Sequence, residues 1–163
     1  MPEPGAGKIR TLEEAGAIRD EIALAGKAFV LTNGCFDVLH VGHVRYLEAA
    51  RGLGDYLLVL VNSDSSVSEL KGPARPLVPE RERAEIIGAL GCVDGVVIFS
   101  QRTAEAIVER LRPDVYVKGG DLSEDQIPEA IVARRVGARV ELIPPVVGRS
   151  SSALVDLICR RKH

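Results

Sequence analysis

Two of the chain's three histidines fall in one tetrapeptide, His40-Val41-Gly42-His43. They follow an apolar run, Ala28-Phe29-Val30-Leu31, that stops at Asn33-Gly34, and they precede Val44, Leu47, Ala50 and Leu53, which share one face of a helix. That order puts both imidazoles at a helix N-terminus beyond the end of a strand. Unpaired backbone N–H groups and the positive end of the helix dipole favour phosphate there, and Gly42 lets the backbone approach a ligand closely. Imidazole N–H donors aimed at oxygens that gain charge in a transition state are a form of electrostatic catalysis. Two other readings compete: a capping or packing role for the histidines, and a metal pair completed by Cys35 or Asp37. Metal-binding histidine pairs on a helix are more often four apart, and a glycine between them has no evident use in a metal site.

Further along, Ser150, Ser151 and Ser152 open a final helix, where hydroxyls and N–H groups suit phosphate but also serve as an ordinary N-cap. The Pro- and Gly-rich segment 71–79 reads as a connection able to lie over a site. No Ser-His-Asp or Cys-His arrangement offers a protein nucleophile.

The elements that must position these residues alternate regularly. Thr11-Leu12-Glu13-Glu14 has the form of a capping box and opens a helix through Ala15, Ile18, Ile22 and Ala25. Strands are expected at 28–31, 56–61, 96–99, 115–118 and 139–143, with helices near 42–53, 80–90, 103–111, 127–136 and 150–159. The expected class is α/β, a doubly wound parallel sheet with helices on both faces, whose ligands sit beyond the carboxyl ends of the strands. A length of 163 residues with 46% hydrophobic content supports one domain, residues 11–163, after a flexible N-terminus at 1–10. Aromatics make up 4% with no Trp, so the core must be built from Val, Leu, Ile and Ala. A net charge of -2 gives no electrostatic reason to expect nucleic acid. The basic end, Arg160-Arg161-Lys162-His163, suits a helix C-terminus. Cys35, Cys92 and Cys159 are widely spaced and read as reduced thiols, and no signal peptide or membrane-spanning run is evident, which fits a cytoplasmic protein.

The stretch Gly34-Cys35-Phe36-Asp37-Val38-Leu39-His40-Val41-Gly42-His43 resembles the signature of the cytidylyltransferase-like nucleotidyltransferases. Leu70-Lys71-Gly72-Pro73, Arg75-Pro76, Arg83-Ala84-Glu85, Arg112-Pro113-Asp114-Val115 and Val117-Lys118-Gly119-Gly120-Asp121 resemble the adenylyltransferases that make ADP-heptose. The resemblance implies a Rossmann-like fold and transfer of AMP from ATP, with Mg²⁺, to heptose 1-phosphate. It makes His40, His43 and Lys71 catalytic and places Asn33, Gly34, Cys35, Phe36, Gly42 and the three serines against the nucleotide and its phosphates. Lys118, Gly120 and Asp121 line the nucleotide pocket. Asp37 either orients the loop or meets the acceptor, and Arg83 either meets the acceptor or pairs locally with Glu80 or Glu82. The alternatives are CMP transfer to glycerol 3-phosphate or a similar alcohol phosphate, and a nucleotide-binding module without catalysis. The resemblance also implies a sugar kinase, expected as a separate protein, to supply the substrate; a homodimer is compatible with it.

Overall fold

Thr11 caps the first helix as its sequence implies. Its hydroxyl accepts the Glu14 N–H at 3.2 Å, and the Glu14 carboxylate accepts the Thr11 N–H at 2.7 Å. The computed structural model describes residues 5–120, 123–148 and 150–160. Along it run α1 (Leu12–Leu24), β1 (Phe29–Gly34), α2 (Val41–Arg51), β2 (Tyr56–Asn62), α3 (Asp64–Lys71), α4 (Glu80–Ala89), β3 (Gly95–Phe99), α5 (Glu105–Leu111), β4 (Val115–Gly119), α6 (Pro128–Arg135), β5 (Arg139–Ile143) and α7 (Ser151–Arg160). Among the described residues no helix is long and apolar enough to cross a membrane.

All strand pairs are parallel, in the order β3-β2-β1-β4-β5. Successive strand residues point to opposite faces, which divides the core in two. Phe29, Leu31, Leu58, Leu60 and Tyr116 pack with α1, α5 and α6. Val30, Leu57, Val59, Val61 and Val117 pack with α2 and α4 on the other face. Burial on both faces explains why these strands read as continuous apolar runs. Chain direction across the sheet reverses between β1 and β4, so the crevice for a ligand opens at their carboxyl ends.

Two expectations need correction. Residues 5–10 of the supposedly flexible start are packed against the domain: Ile9 bridges Val96, the Arg10 N–H reaches Val96 O at 2.8 Å, and Lys8 Nζ binds the carbonyls of Leu90 and Val93. Gly5 lies so close to α4 that a Cβ on Gly88 would stand 2.5 Å from Gly5 O. Gly5, one of the glycines that suggested flexibility, in fact permits this contact, since a Cβ there would run into Glu85 O. The second correction is α3, a helix capped by Ser63 Oγ at 3.2 Å from Ser66 N, where the expected elements include no helix. Residues 161–163 of the basic end lie outside the described residues.

Candidate active site

Both histidines sit where β1 hands the chain to α2. His40, in extended backbone conformation, is the N-cap of α2, and its Nδ1 accepts the Gly42 N–H at 3.1 Å. His43 returns its own Nδ1 to the His40 N–H at 3.2 Å. Two imidazoles therefore close the capping box that a hydroxyl and a carboxylate usually make. A ring nitrogen that accepts a backbone N–H carries no proton, so each neutral ring is the Nε2–H tautomer. The ring centroids are 4.1 Å apart. Gly42 is demanded by this packing, since a Cβ there would stand 2.8 Å from both Cε1 and Nδ1 of His40.

Burial, the neighbouring His40 and the Lys71 ammonium push the His43 pKa down to about 4, which keeps the ring neutral near pH 7. The N–H groups of His40 and Gly42, expected to be unpaired, are taken up by the two rings. In these tautomers each ring keeps an Nε2–H donor, and the helix dipole still favours negative charge at this end.

A cavity of about 640 Å³ opens at the β1–β4 switch point and brings most of the expected residues together. From β1 and the turn after it come Asn33, Gly34, Cys35, Phe36 and Asp37, joined by His40, Gly42 and His43. Phe36 adopts a left-handed backbone (φ 49°), and its ring meets His43 edge-on with centroids 5.7 Å apart. Lys118 reaches from β4 to Asn33 O at 3.4 Å, and burial pulls its pKa down against the opposing Glu129 and Cys35. Gly120 follows with φ 128°, which suits glycine alone. Asp121 lies outside the described residues.

Lys71 lines the cavity as the exposed last residue of α3, so the connecting loop begins at Gly72 instead. Ser150, Ser151 and Ser152 line it too. The Ser150 hydroxyl accepts the Ala153 N–H at 3.0 Å, and Ser151 donates to Val38 O at 2.6 Å, which joins the start of α7 to the histidine turn.

Asp37 is 4% exposed, and its carboxylate accepts from Arg75 Nε and from the N–H groups of Leu77 and Val78. Burial alone would raise its pKa, but these donors outweigh burial and hold it below the usual value. Its contacts orient the 72–79 loop. Arg83 departs from the expectation of a substrate contact and lies outside the cavity lining, 1% exposed. Four of its five N–H groups are taken by Val78 O, Cys35 O, Asn62 O and Asp64 Oδ1. Its carboxylate partner is Asp64, not Glu80 or Glu82.

Several lining residues gave no signal in the sequence: Arg45, Tyr46, Arg102, Thr103 and Glu129. Tyr46 donates to Val117 O at 3.2 Å and sits 2.5 Å from Thr32 Oγ1, bracing β1 and β4 from α2. Asn33 has both ends of its amide engaged, by Tyr116 OH at 2.6 Å and by Glu129 at 3.2 Å, so its side chain organises the wall. Among the described residues no group of three or more His, Cys, Asp or Glu is placed to hold a metal ion.

Residues 31–155 match the cytidylyltransferase-like family. The chain belongs to that family. Its site is accordingly that of a nucleotidyltransferase, with the histidine turn, Lys71 and the serine-led α7 gathered on one cavity. The bifunctional protein HldE of Syntrophotalea carbinolica is 47% identical over 154 residues, 94% of this chain and 31% of that protein. That of Citrifermentans bemidjiense is 53% identical over 152 residues, 93% of this chain and 31% of that protein. The chain thus spans about a third of the length of these relatives. Among solved structures, a lipopolysaccharide core biosynthesis protein from Thermoplasma volcanium superposes with a TM-score of 0.59 at 27% identity, covering 74% of this chain and 98% of that one. Pantoate-beta-alanine ligase from Francisella tularensis, at 11% identity and a TM-score of 0.58, shares the fold and covers 93% of this chain and 78% of its own.

Proposed function

We propose that this chain transfers AMP from ATP to D-glycero-D-manno-heptose 1-phosphate, giving ADP-heptose and pyrophosphate. The observation that carries the reading is 47–53% identity to bifunctional HldE proteins over nearly the whole chain, with His40, His43 and Lys71 on one cavity. The resemblance of residues 70–73 and 117–121 to ADP-heptose-forming adenylyltransferases supports heptose as the acceptor sugar.

A phosphate oxygen of the acceptor bonds to the α-phosphorus while the bond to the β-phosphate oxygen breaks, and its electron pair leaves with pyrophosphate. The acceptor is a phosphate monoester, largely ionised near neutral pH, so no protein nucleophile or base is required. The work left to the protein is alignment and charge stabilisation. Nε2–H of His40 and His43 donate to the phosphate oxygens that gain charge, and Lys71 adds a cation. Mg²⁺ arrives with ATP as part of the substrate. A sugar kinase activity supplies the heptose 1-phosphate, in keeping with a cytoplasmic setting where ATP is at hand.

A pyrophosphate-release assay crossing ATP, CTP, GTP and UTP with heptose 1-phosphate and glycerol 3-phosphate tests the reading. A pocket that hydrogen-bonds adenine leaves polar groups unpaired against a wrong base, so ATP should lead CTP by at least about tenfold in kcat/KM. A preference for CTP, or turnover with glycerol 3-phosphate alone, would overturn the assignment.

A further inference from the structure

We infer that Arg102 binds the phosphate group of the acceptor, on the side of the cavity that the nucleotide leaves open; this rests on the nucleotidyl-transfer reading above and adds a residue that holds the second substrate. The sheet order β3-β2-β1-β4-β5 divides the cavity into two arms about the histidine turn, which follows β1. On one arm Lys118 and Gly120 come from the end of β4, and Ser150, Ser151 and Ser152 come from the start of α7, all of them set against the nucleotide. On the other arm, at the carboxyl ends of β2 and β3, the lining residues are Asn62, Leu70, Lys71, Arg102 and Thr103.

An acceptor phosphate carries close to two negative charges and must be brought up to a triphosphate that is itself strongly anionic, so it needs a cation of its own. The charged side chains of the β2–β3 arm are Lys71 and Arg102. The Lys71 ammonium lowers the His43 pKa, which sets it beside the histidines and the triphosphate. The Asp37 carboxylate near them is already held by Arg75 and two backbone N–H groups. Arg102 is left over. It is exposed, and among the described residues nothing accepts from its guanidinium.

The chain on both sides of Arg102 is held, although its own side chain is free. On one side Ser66 Oγ, fully buried, donates to Gln101 O at 3.0 Å and accepts from Asn62 Nδ2 at 2.8 Å, which ties the turn to the end of β2. On the other, the Thr103 hydroxyl donates to Glu105 at 2.7 Å and the Ala104 N–H donates to Glu129 at 3.1 Å. A free guanidinium on a fixed backbone is prearranged for an anion, and its planar fork can give two parallel N–H bonds to one phosphate.

Arg102→Gln removes the charge at an exposed position, so the fold should be kept. With hydrogen bonds between charged groups lost, KM for heptose 1-phosphate should rise roughly 10- to 100-fold. The ATP affinity measured by calorimetry and the thermal midpoint should stay near wild type, which a merely structural role would not allow. Arg102→Lys, which keeps the charge without the fork, should recover at least about threefold of the loss. If the wild type turns over heptose 1-phosphate and the Arg102→Gln acceptor KM stays within twofold, the role of Arg102 falls alone. It falls too if ATP affinity drops as much as acceptor KM rises, which would give the cation to the triphosphate, or if lysine does no better than glutamine. If the wild type uses no sugar phosphate with any nucleotide, the nucleotidyl-transfer reading and the acceptor site fall together.

Discussion

Gly42→Ala separates catalysis from stability, because the structure places the new methyl group against one catalytic ring and almost nothing else. A Cβ at position 42 would lie 2.8 Å from Cε1 and Nδ1 of His40, well inside ordinary contact of about 3.5 Å, while Val146 would be at an unstrained 3.7 Å. The imidazole must swing away and release the Gly42 N–H. Losing an N-cap acceptor costs about 1 kcal/mol, and replacing glycine by alanine within a helix returns about 0.5–1 kcal/mol. The two nearly cancel, so the thermal midpoint should move by no more than about 2–4 °C. A donor displaced from the developing charge, by contrast, should lower kcat roughly 10²- to 10³-fold. Steady-state kinetics and thermal melts on one preparation read both quantities. A folded Gly42→Ala protein with kcat within threefold of wild type would refute the claim that the glycine exists to seat the His40 ring.

Three further outcomes are expected. His43 has a folded pKa of about 4 against 6.5 unfolded, so between those values the unfolded chain binds the extra proton and stability falls as pH drops. Urea midpoints at pH 7 and pH 4.5 should therefore diverge more for wild type than for His43→Asn, and equal losses would contradict the neutral-ring assignment. Arg83→Leu removes the donor shared by three carbonyls and a carboxylate, and denaturant unfolding should show a loss of at least about 3 kcal/mol; an unchanged midpoint would return Arg83 to the substrate. Asp37→Asn weakens the anchor of the 72–79 loop, so limited proteolysis there should quicken, and an unaltered rate would show that the loop is held elsewhere.

The histidine turn was legible in the sequence because its partners lie within four residues and its context is a strand running into a helix. The strands were legible for a similar reason, since burial on both faces writes an unbroken apolar run. Glu129 left no such trace: Ile127-Pro128-Glu129 reads as an ordinary helix start, and its partners Asn33 and Ala104 are 96 and 25 residues away. Arg83 misled because Glu80 and Glu82 are near in sequence, while Asp64 and the carbonyls it binds arrive through β2 and the loops around it. α3 escaped notice because Val67 is its only apolar residue buried outright and its serines favour turns. The Gly-rich start looked mobile because a glycine chosen for close packing and one chosen for freedom are the same letter.

The most direct test of the account is the product itself. Wild-type protein incubated with ATP, Mg²⁺ and heptose 1-phosphate, and analysed by mass spectrometry with pyrophosphate counted in parallel, should yield ADP-heptose and pyrophosphate in equal amounts. Release of AMP or ADP without a nucleotide sugar, or formation of a nucleotide sugar from CTP in preference to ATP, would contradict it.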